Sequence, residues 1–187
     1  SAAQRAKILK AAADDPTALV IINIEAVRSH SRLAPFGSTR LAACPDCGGH
    51  DPRTTPARCE VHPRELNTIP FKTVIVDEAH RIKDPNAKQT RACWAVGQGK
   101  TVTTRYALTG TPIANDPSDL WSVMHFVEPK EYPRKSAFVD RYCLLSWGTY
   151  GGIDVKGIHP EHRQEFYSIF DPRFRRMPKA LVLPQLP

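Results

Sequence analysis

No apolar run in these 187 residues approaches the ~18–20 that a membrane-spanning helix needs. The N-terminal stretch "SAAQRAKILKAAADD" lacks the order of a secretory signal and reads instead as charged and helix-forming. The five cysteines are odd in number, and three of them, Cys44, Cys47 and Cys59, are bunched together. That usage argues against a secreted disulfide framework and fits a reducing compartment. Acidic residues are in deficit, 19 against 26 Lys and Arg, for a formal net charge of +7. Such a surplus suits a polyanion such as nucleic acid, or simply a solvated basic surface, and charge alone does not choose between them. No internal repeat is visible.

The chain is long enough for one domain with a real core. Residues 3–13 have a helical pattern, and "TALVIIN" (17–23) is a continuous β-branched run expected to form a buried parallel strand. "IEAVRSHSRL" then opens a short helix or turn. From about Pro35 to Pro70, Gly, Pro, Cys and Thr dominate and periodicity is lost, which suggests an insertion. "FKTVIVD" (71–77) and "RYALTG" (105–110) read as further strands. "DPNAKQTRACWAV" (84–96), with Asp84 as N-cap and Pro85 at the first helical position, and "NDPSDLWSVMHFV" (115–127) read as helices. Two more helices are expected near 134–143 and 160–170. Strands alternating with helices indicate an α/β fold with a parallel sheet.

"TVIVDEAHRIKD" carries the chemistry. Asp77 directly follows a strand, and in open α/β sheets ligands bind beyond the carboxyl ends of strands. A carboxylate there can hold Mg2+ through waters. Glu78, one residue on, can orient and deprotonate an attacking water. His80 lies close enough to sense the occupied site. The plain alternative is that acidic residues favour the start of a helix for its dipole.

A second stretch follows one helix later. "VIVDEAHRIKD" followed by "ALTGTPIANDPSDLWSVMHFVEP" resembles motifs II and III of the Swi/Snf-like helicase-type ATPases of helicase superfamily 2. Leu108 to Ile113, Asn115, Asp119-Leu120-Trp121, Phe126 and Pro129 carry the likeness. "RFRRMPKALVLPQLP" is similar to the family's later basic segment, which leads toward a second ATPase lobe. "VIINIEAVRSH" is similar to the strand before motif II, with Ile24 where a tyrosine is common. The resemblance implies a partial RecA-like parallel sheet flanked by helices, with Asp77 on magnesium, Glu78 as base, and His80 with Thr109, Gly110 and Thr111 linking hydrolysis to movement. It implies ATP and Mg2+ as cofactors, sequence-nonspecific duplex DNA and a second RecA-like lobe of the same parent chain as partners, and no membrane. It places the protein in the cytoplasm of a bacterial or host cell, or in the nucleus of a eukaryote.

In that family the phosphate loop precedes motif II. No glycine-rich stretch ending in Lys-Thr or Lys-Ser precedes Val76. "GQGKT" at Gly97 to Thr101 comes after it, follows an expected helix and precedes a strand, the reverse of a phosphate loop. The full spacing would also need glycine at Trp94. Gly97 and Gly99 are therefore expected to end a helix and make a turn. The chain is expected to be the later part of a first lobe that does not hydrolyse ATP by itself.

Cys44, Cys47, Cys59 and His62 stand as C-x2-C-x11-C-x2-H, a spacing that suits tetrahedral Zn2+ with no open position. His50 is the rival fourth ligand, and reduced unliganded thiols are the plain alternative. A segment with so few large apolar residues needs such a staple. Cys93 and Cys143 fall in helical patterns and read as core thiols. Arg28, Arg81 and Lys83, near the expected strand ends, are candidate contacts to a DNA backbone. Arg175 and Arg176, with Arg173 and Lys179, form a denser patch that either faces DNA or braces two lobes.

The expected organisation is lobe 1 over 1–33, a zinc-binding insertion over 34–70, the lobe core with both motifs over 71–130, and a helical extension toward lobe 2 over 131–187. Two other functions stay open: a non-catalytic zinc-bearing module that binds nucleic acid or protein, and the motor part of a restriction-type nuclease.

Overall fold

A computed structural model describes residues 1–37, 60, 62–113, 116–148 and 151–175. The chain divides into two compact units, residues 1–135 and 136–187. Among the described residues no helix is long and apolar enough to cross a membrane.

The first unit is α/β. Helix α1 (Ala2–Ala13) starts from a capping box between Ser1 and Gln4, and α2 (Ile24–His30) starts where Asn23 accepts the Glu25 N–H. Helix α3 (Glu65–Thr68) is one turn that buries Leu66 and packs on α1. Strand β1 (Thr73–Val76) runs parallel to β2 (Thr104–Ala107) in the register Thr73↔Thr104 to Val76↔Ala107. Between them lie a 3-10 turn (Ala79–Ile82) and α4 (Lys88–Gly97); α5 (Asp119–Val127) follows β2.

The core sits where α4 and α5 cover one side of this sheet. Trp94, Trp121, Phe126, Leu120 and Ile82 are fully buried there. Trp94 and Trp121 meet edge to face at 5.6 Å, and Trp94 Nε1–H donates to the Ser122 carbonyl at 3.1 Å. The opposite side of the sheet is not covered among the described residues. Ile75 and Tyr106, paired in register, are 58% and 52% exposed.

Four expectations need correction. "TALVIIN" is not a strand, and Leu19 and Ile21 are 85% and 88% exposed. A cavity of about 640 Å3 is lined by this segment and by β1, where a ladder would have to form. β-Branched side chains favour a pleated, packed surface but do not by themselves supply a hydrogen-bonding neighbour. The helix expected over 84–96 begins only at Lys88, because Asp84 accepts the N–H of Asn86 in a local turn and does not cap the helix. The helix expected over 115–127 begins at Asp119, after Asp116 likewise takes the Ser118 N–H.

In the second unit the helices expected near 134–143 and 160–170 are present, and the fourth correction is an unexpected hairpin between them. Helix α6 (Lys135–Tyr142) leads into an antiparallel hairpin of β3 (Cys143–Trp147) and β4 (Ile153–Ile158), with a register shift at Leu144/Leu145. A 3-10 turn (Pro160–His162), α7 (Arg163–Ser168) and α8 (Phe170–Arg173) complete it. "CLLSW" and "IDVKGI" flanking a glycine-bearing stretch were the available hairpin signal. Phe138, Cys143, Phe166 and Ile169 form its buried apolar side.

Candidate functional site

The carboxyl ends of β1 and β2 bring the two motif stretches together. The Leu108 N–H donates to the Val76 carbonyl, and the Ala79 N–H to the Leu108 carbonyl, both at 2.8 Å. These bonds extend the pairing past the regular ladder and fix the exits of the two strands side by side. Asp77, exposed at the end of β1, accepts the Glu78 N–H on Oδ1 at 2.9 Å. Glu78 then takes the left-handed conformation, φ 50° and ψ 50°, alone among the described non-glycine residues. That conformation turns the chain from an extended strand into the 3-10 turn.

The turn sets the side chains. Glu78 Oε2 lies 3.2 Å from His80 Nδ1, and His80 Nδ1 lies 3.5 Å from Thr109 Oγ1. Thr109 Oγ1 also accepts the Thr111 N–H at 3.1 Å, so the hydroxyl closes the turn after β2. Asp77, Glu78, His80, Thr109 and Thr111 are therefore one connected surface. Gly110 stands in this turn with open space where a Cβ would be and no left-handed φ. Nothing among the described residues requires glycine there.

The cationic candidates divide. Arg81, on the 3-10 turn, pairs with Glu25 of α2, and this bond holds the Glu25 carboxyl below its usual range. Lys83 lies 3.3 Å from Asp119 at the start of α5. Both cations are thus tied within the chain, by acids in the first turns of α2 and α5. Arg28 lies on α2 with Glu25, is exposed, and has no partner among the described residues. Arg175 is exposed in the second unit; Arg176 and Lys179 lie outside the described residues.

"GQGKT" runs from the last residue of α4 into the turn before β2. A Cβ on Gly97 would sit 2.6 Å from Phe126 Cε2, so this glycine permits α4 and α5 to touch. The Gly97 carbonyl accepts from Arg105 Nε at 2.6 Å, and Thr101 Oγ1 donates to the Phe71 carbonyl at 2.8 Å. These groups close a helix and a turn. The 640 Å3 cavity does reach Asp77, Glu78 and Arg81, but Leu19, Ile21, Ile22 and Val74 give it an aliphatic lining unsuited to phosphate.

Of the cysteine set, Cys44, Cys47 and Cys59, with the rival His50, lie outside the described residues; His62 is described and exposed. The residues flanking that segment are tied. The Leu33 N–H donates to the Glu60 carbonyl at 2.9 Å, and Glu60 pairs with Lys88 at 2.8 Å. The Ala34 N–H donates to the Arg91 carbonyl at 2.9 Å, and Arg91 Nε returns a bond to the Ala34 carbonyl at 2.8 Å. Arg91 is buried, which pulls its pKa down against the opposing field of Glu60. Cys93 is buried, with its thiol pushed up to about 12, and is an inert core group.

Residues 17–147 match the family described as SNF2-related domain. Chromodomain-helicase-DNA-binding protein 9 of Mus musculus is 38% identical over 78 residues, which is 42% of this chain and 3% of the relative. Chromodomain-helicase-DNA-binding protein 7 of Homo sapiens is 36% identical over 78 residues, 42% of this chain and 2% of the relative. Chromodomain-helicase-DNA-binding protein 8 of Homo sapiens is 37% identical over 75 residues, 40% of this chain and 3% of the relative. The chain thus spans between 2% and 3% of the length of these relatives.

Proposed function

Because the chain belongs to the SNF2-related domain family of Swi/Snf-like helicase-type ATPases, we propose that it forms the later part of the first RecA-like lobe of an ATP-driven motor that moves on duplex DNA. The observation that carries this reading is the contact of His80 with both Glu78 and Thr109. It ties the DEAH turn to the Thr-Gly-Thr turn at the carboxyl end of a parallel strand pair, where hydrolysis has to be linked to movement.

The residues fit the implied nucleotide chemistry in part. Asp77 offers an exposed carboxylate whose second oxygen has no partner among the described residues, and would hold Mg2+ through waters. Bound there, Mg2+ with ATP would supply an activated phosphoryl group with its charge neutralised. Glu78 accepts the proton of the attacking water. His80 Nδ1 faces both the Glu78 carboxylate and the Thr109 hydroxyl, so a change at Glu78 is felt in the turn after β2. The loop that cradles the phosphates is not among these residues, and turnover is assigned to the intact protein and not to this stretch alone. The uncovered face with Ile75, Tyr106 and Leu108 supports a sheet that is part of a larger lobe.

Arg28 and Arg175 are proposed as contacts to DNA phosphates, with Arg81, Lys83 and Arg176 as weaker candidates. A zinc-bearing insertion over Cys44, Cys47, Cys59 and His62 is proposed on its ligand pattern and on the closed Leu33–Glu60 base. In a eukaryotic host the DNA-bound reading would place the protein in the nucleus.

The test is DNA-stimulated ATP hydrolysis by the intact protein with Glu78→Gln beside it. Loss of a general base predicts a fall of at least ~100-fold with DNA binding retained. Equal turnover in both would leave the carboxylate pair without its role and favour the non-catalytic reading.

A further inference from the structure

The second unit holds a cluster that the motor reading does not use. His159, Glu161 and His162 lie on the turn between β4 and α7, and the ligand atoms they offer are within 4.8 Å of one another. The turn is fixed at both ends. The His159 N–H donates to the Tyr142 carbonyl at 2.8 Å, and the His162 N–H to the His159 carbonyl at 3.2 Å. The two imidazole centroids are 5.3 Å apart.

Two features prepare the rings as ligands. His159 Nδ1 is buried and has no hydrogen-bond partner among the described residues. A buried imidazole nitrogen left unmatched is costly, and a cation would match it. His162 Nδ1 lies 3.4 Å from Glu165 Oε2. Glu165 is a fixed acceptor: Arg141 donates to it at 2.7 and 2.8 Å and Tyr142 at 2.8 Å. A carboxylate on one ring nitrogen keeps the proton there and leaves the other nitrogen free to ligate, the arrangement that orients histidines on metals.

We propose that His159, Glu161 and His162 form a divalent transition-metal site, separate from the cysteine segment, that takes Zn2+ with water in the fourth position. Two imidazoles and one carboxylate select Zn2+, Ni2+ or Cu2+ over Mg2+ and Ca2+, which prefer all-oxygen sets. Tetrahedral ligands at about 2.0–2.2 Å from one Zn2+ stand roughly 3.3–3.6 Å apart, so the three groups, now within 4.8 Å of one another, draw together on binding. Bound metal would pin the end of β4 to the start of α7.

The test is histidine footprinting of the unsubstituted full chain with diethyl pyrocarbonate, read residue by residue by mass spectrometry, with Zn2+ or Mg2+ alone as probe. Residue-level readout separates this site from His62 and the cysteines. Zn2+ should suppress modification of His159 and His162 together, by at least ~10-fold, and Mg2+ should not. Glu161→Gln, at an exposed position that leaves the fold intact by circular dichroism, should weaken that protection at least ~10-fold, and Glu165→Gln should weaken it ~10–100-fold, as loss of an orienting partner does. Protection of neither ring, of one ring only, or protection unchanged in Glu161→Gln would overturn the proposal.

Discussion

Glu78 combines the base and the bend in one residue. Its left-handed φ costs a non-glycine residue roughly 1–2 kcal/mol, and the turn it makes is what brings its carboxylate to His80. Glu78→Gly removes the strain and the carboxylate together, while the added freedom of the unfolded chain offsets part of the gain. Thermal unfolding of Glu78→Gly should therefore match or exceed the wild type by a few degrees, while ATP turnover of the intact protein falls as far as in Glu78→Gln. A clear drop in melting temperature would mean that the carboxylate is there for stability. His125 is a second residue whose surroundings set its chemistry. Burial pulls its pKa below 6.5, opposed only in part by the bond from Nδ1–H to the Tyr132 carbonyl at 2.8 Å. Its ring stacks on Trp121 at 5.0 Å and leaves Nε2 facing Gln98 Nε2 at 3.3 Å, as a neutral acceptor. Below 6.5 the unfolded chain binds a proton that the folded ring refuses. Stability from this group is full above that pH and is lost as pH falls toward the lowered folded value. The melting temperature should drop between pH 7.5 and 5.5, and His125→Gln should flatten that slope, whatever it does to the melting temperature itself.

At the scale of elements, the contact of α4 with α5 decides what "GQGKT" is. Gly97 is the last residue of α4 and sits against the ring of Phe126. Gly97→Ala forces the two helices apart and should cost about 1–3 kcal/mol, read by chemical denaturation. Lys100 is exposed in the following turn. Lys100→Ala should leave both stability and ATP turnover of the intact protein within twofold of wild type, whereas a lysine on nucleotide phosphates would abolish turnover. The same contact explains why Trp121, of the Asp-Leu-Trp stretch, is fully buried: it packs against both Trp94 and His125, which also touch each other, and holds α5 in place. Ser122 adds a bond to the Ile82 carbonyl, fixing the 3-10 turn that carries His80 and Arg81.

For the whole molecule, the net charge of +7 matters for association more than for folding. Contacts to phosphates release counterions, so the logarithm of DNA affinity should fall linearly with the logarithm of salt concentration. Arg28→Gln should reduce the magnitude of that slope by about 0.9, the share of one phosphate contact, equally on unrelated duplex sequences. Arg81→Gln should change it less, because Glu25 already holds that guanidinium. Fluorescence anisotropy on two unrelated duplexes at several salt concentrations reads both.

The sequence alone determined which residues stand together as candidates for the site. Strand propensity in "TVIV" and the motif spacing put Asp77, Glu78 and His80 one helix away from Thr109 to Thr111, because short-range chemistry and family pattern are both written along the chain. It also identified the helices α1, α4 and α5 and left α2 as a short helix or turn, because helical patterning is local. Only the tertiary structure decided which apolar runs have a neighbour. "TALVIIN" has strand composition and no ladder, and the hairpin of residues 143–158 pairs two short runs whose partnership only the fold shows. Partnership across the chain was equally invisible: Arg81 with Glu25, Lys83 with Asp119, and the grouping of His159 with His162 on a turn fixed by Tyr142 and Glu165. Composition and spacing set what each segment prefers, but a hydrogen bond or an ion pair needs a second group brought within about 3 Å, and that is settled by packing.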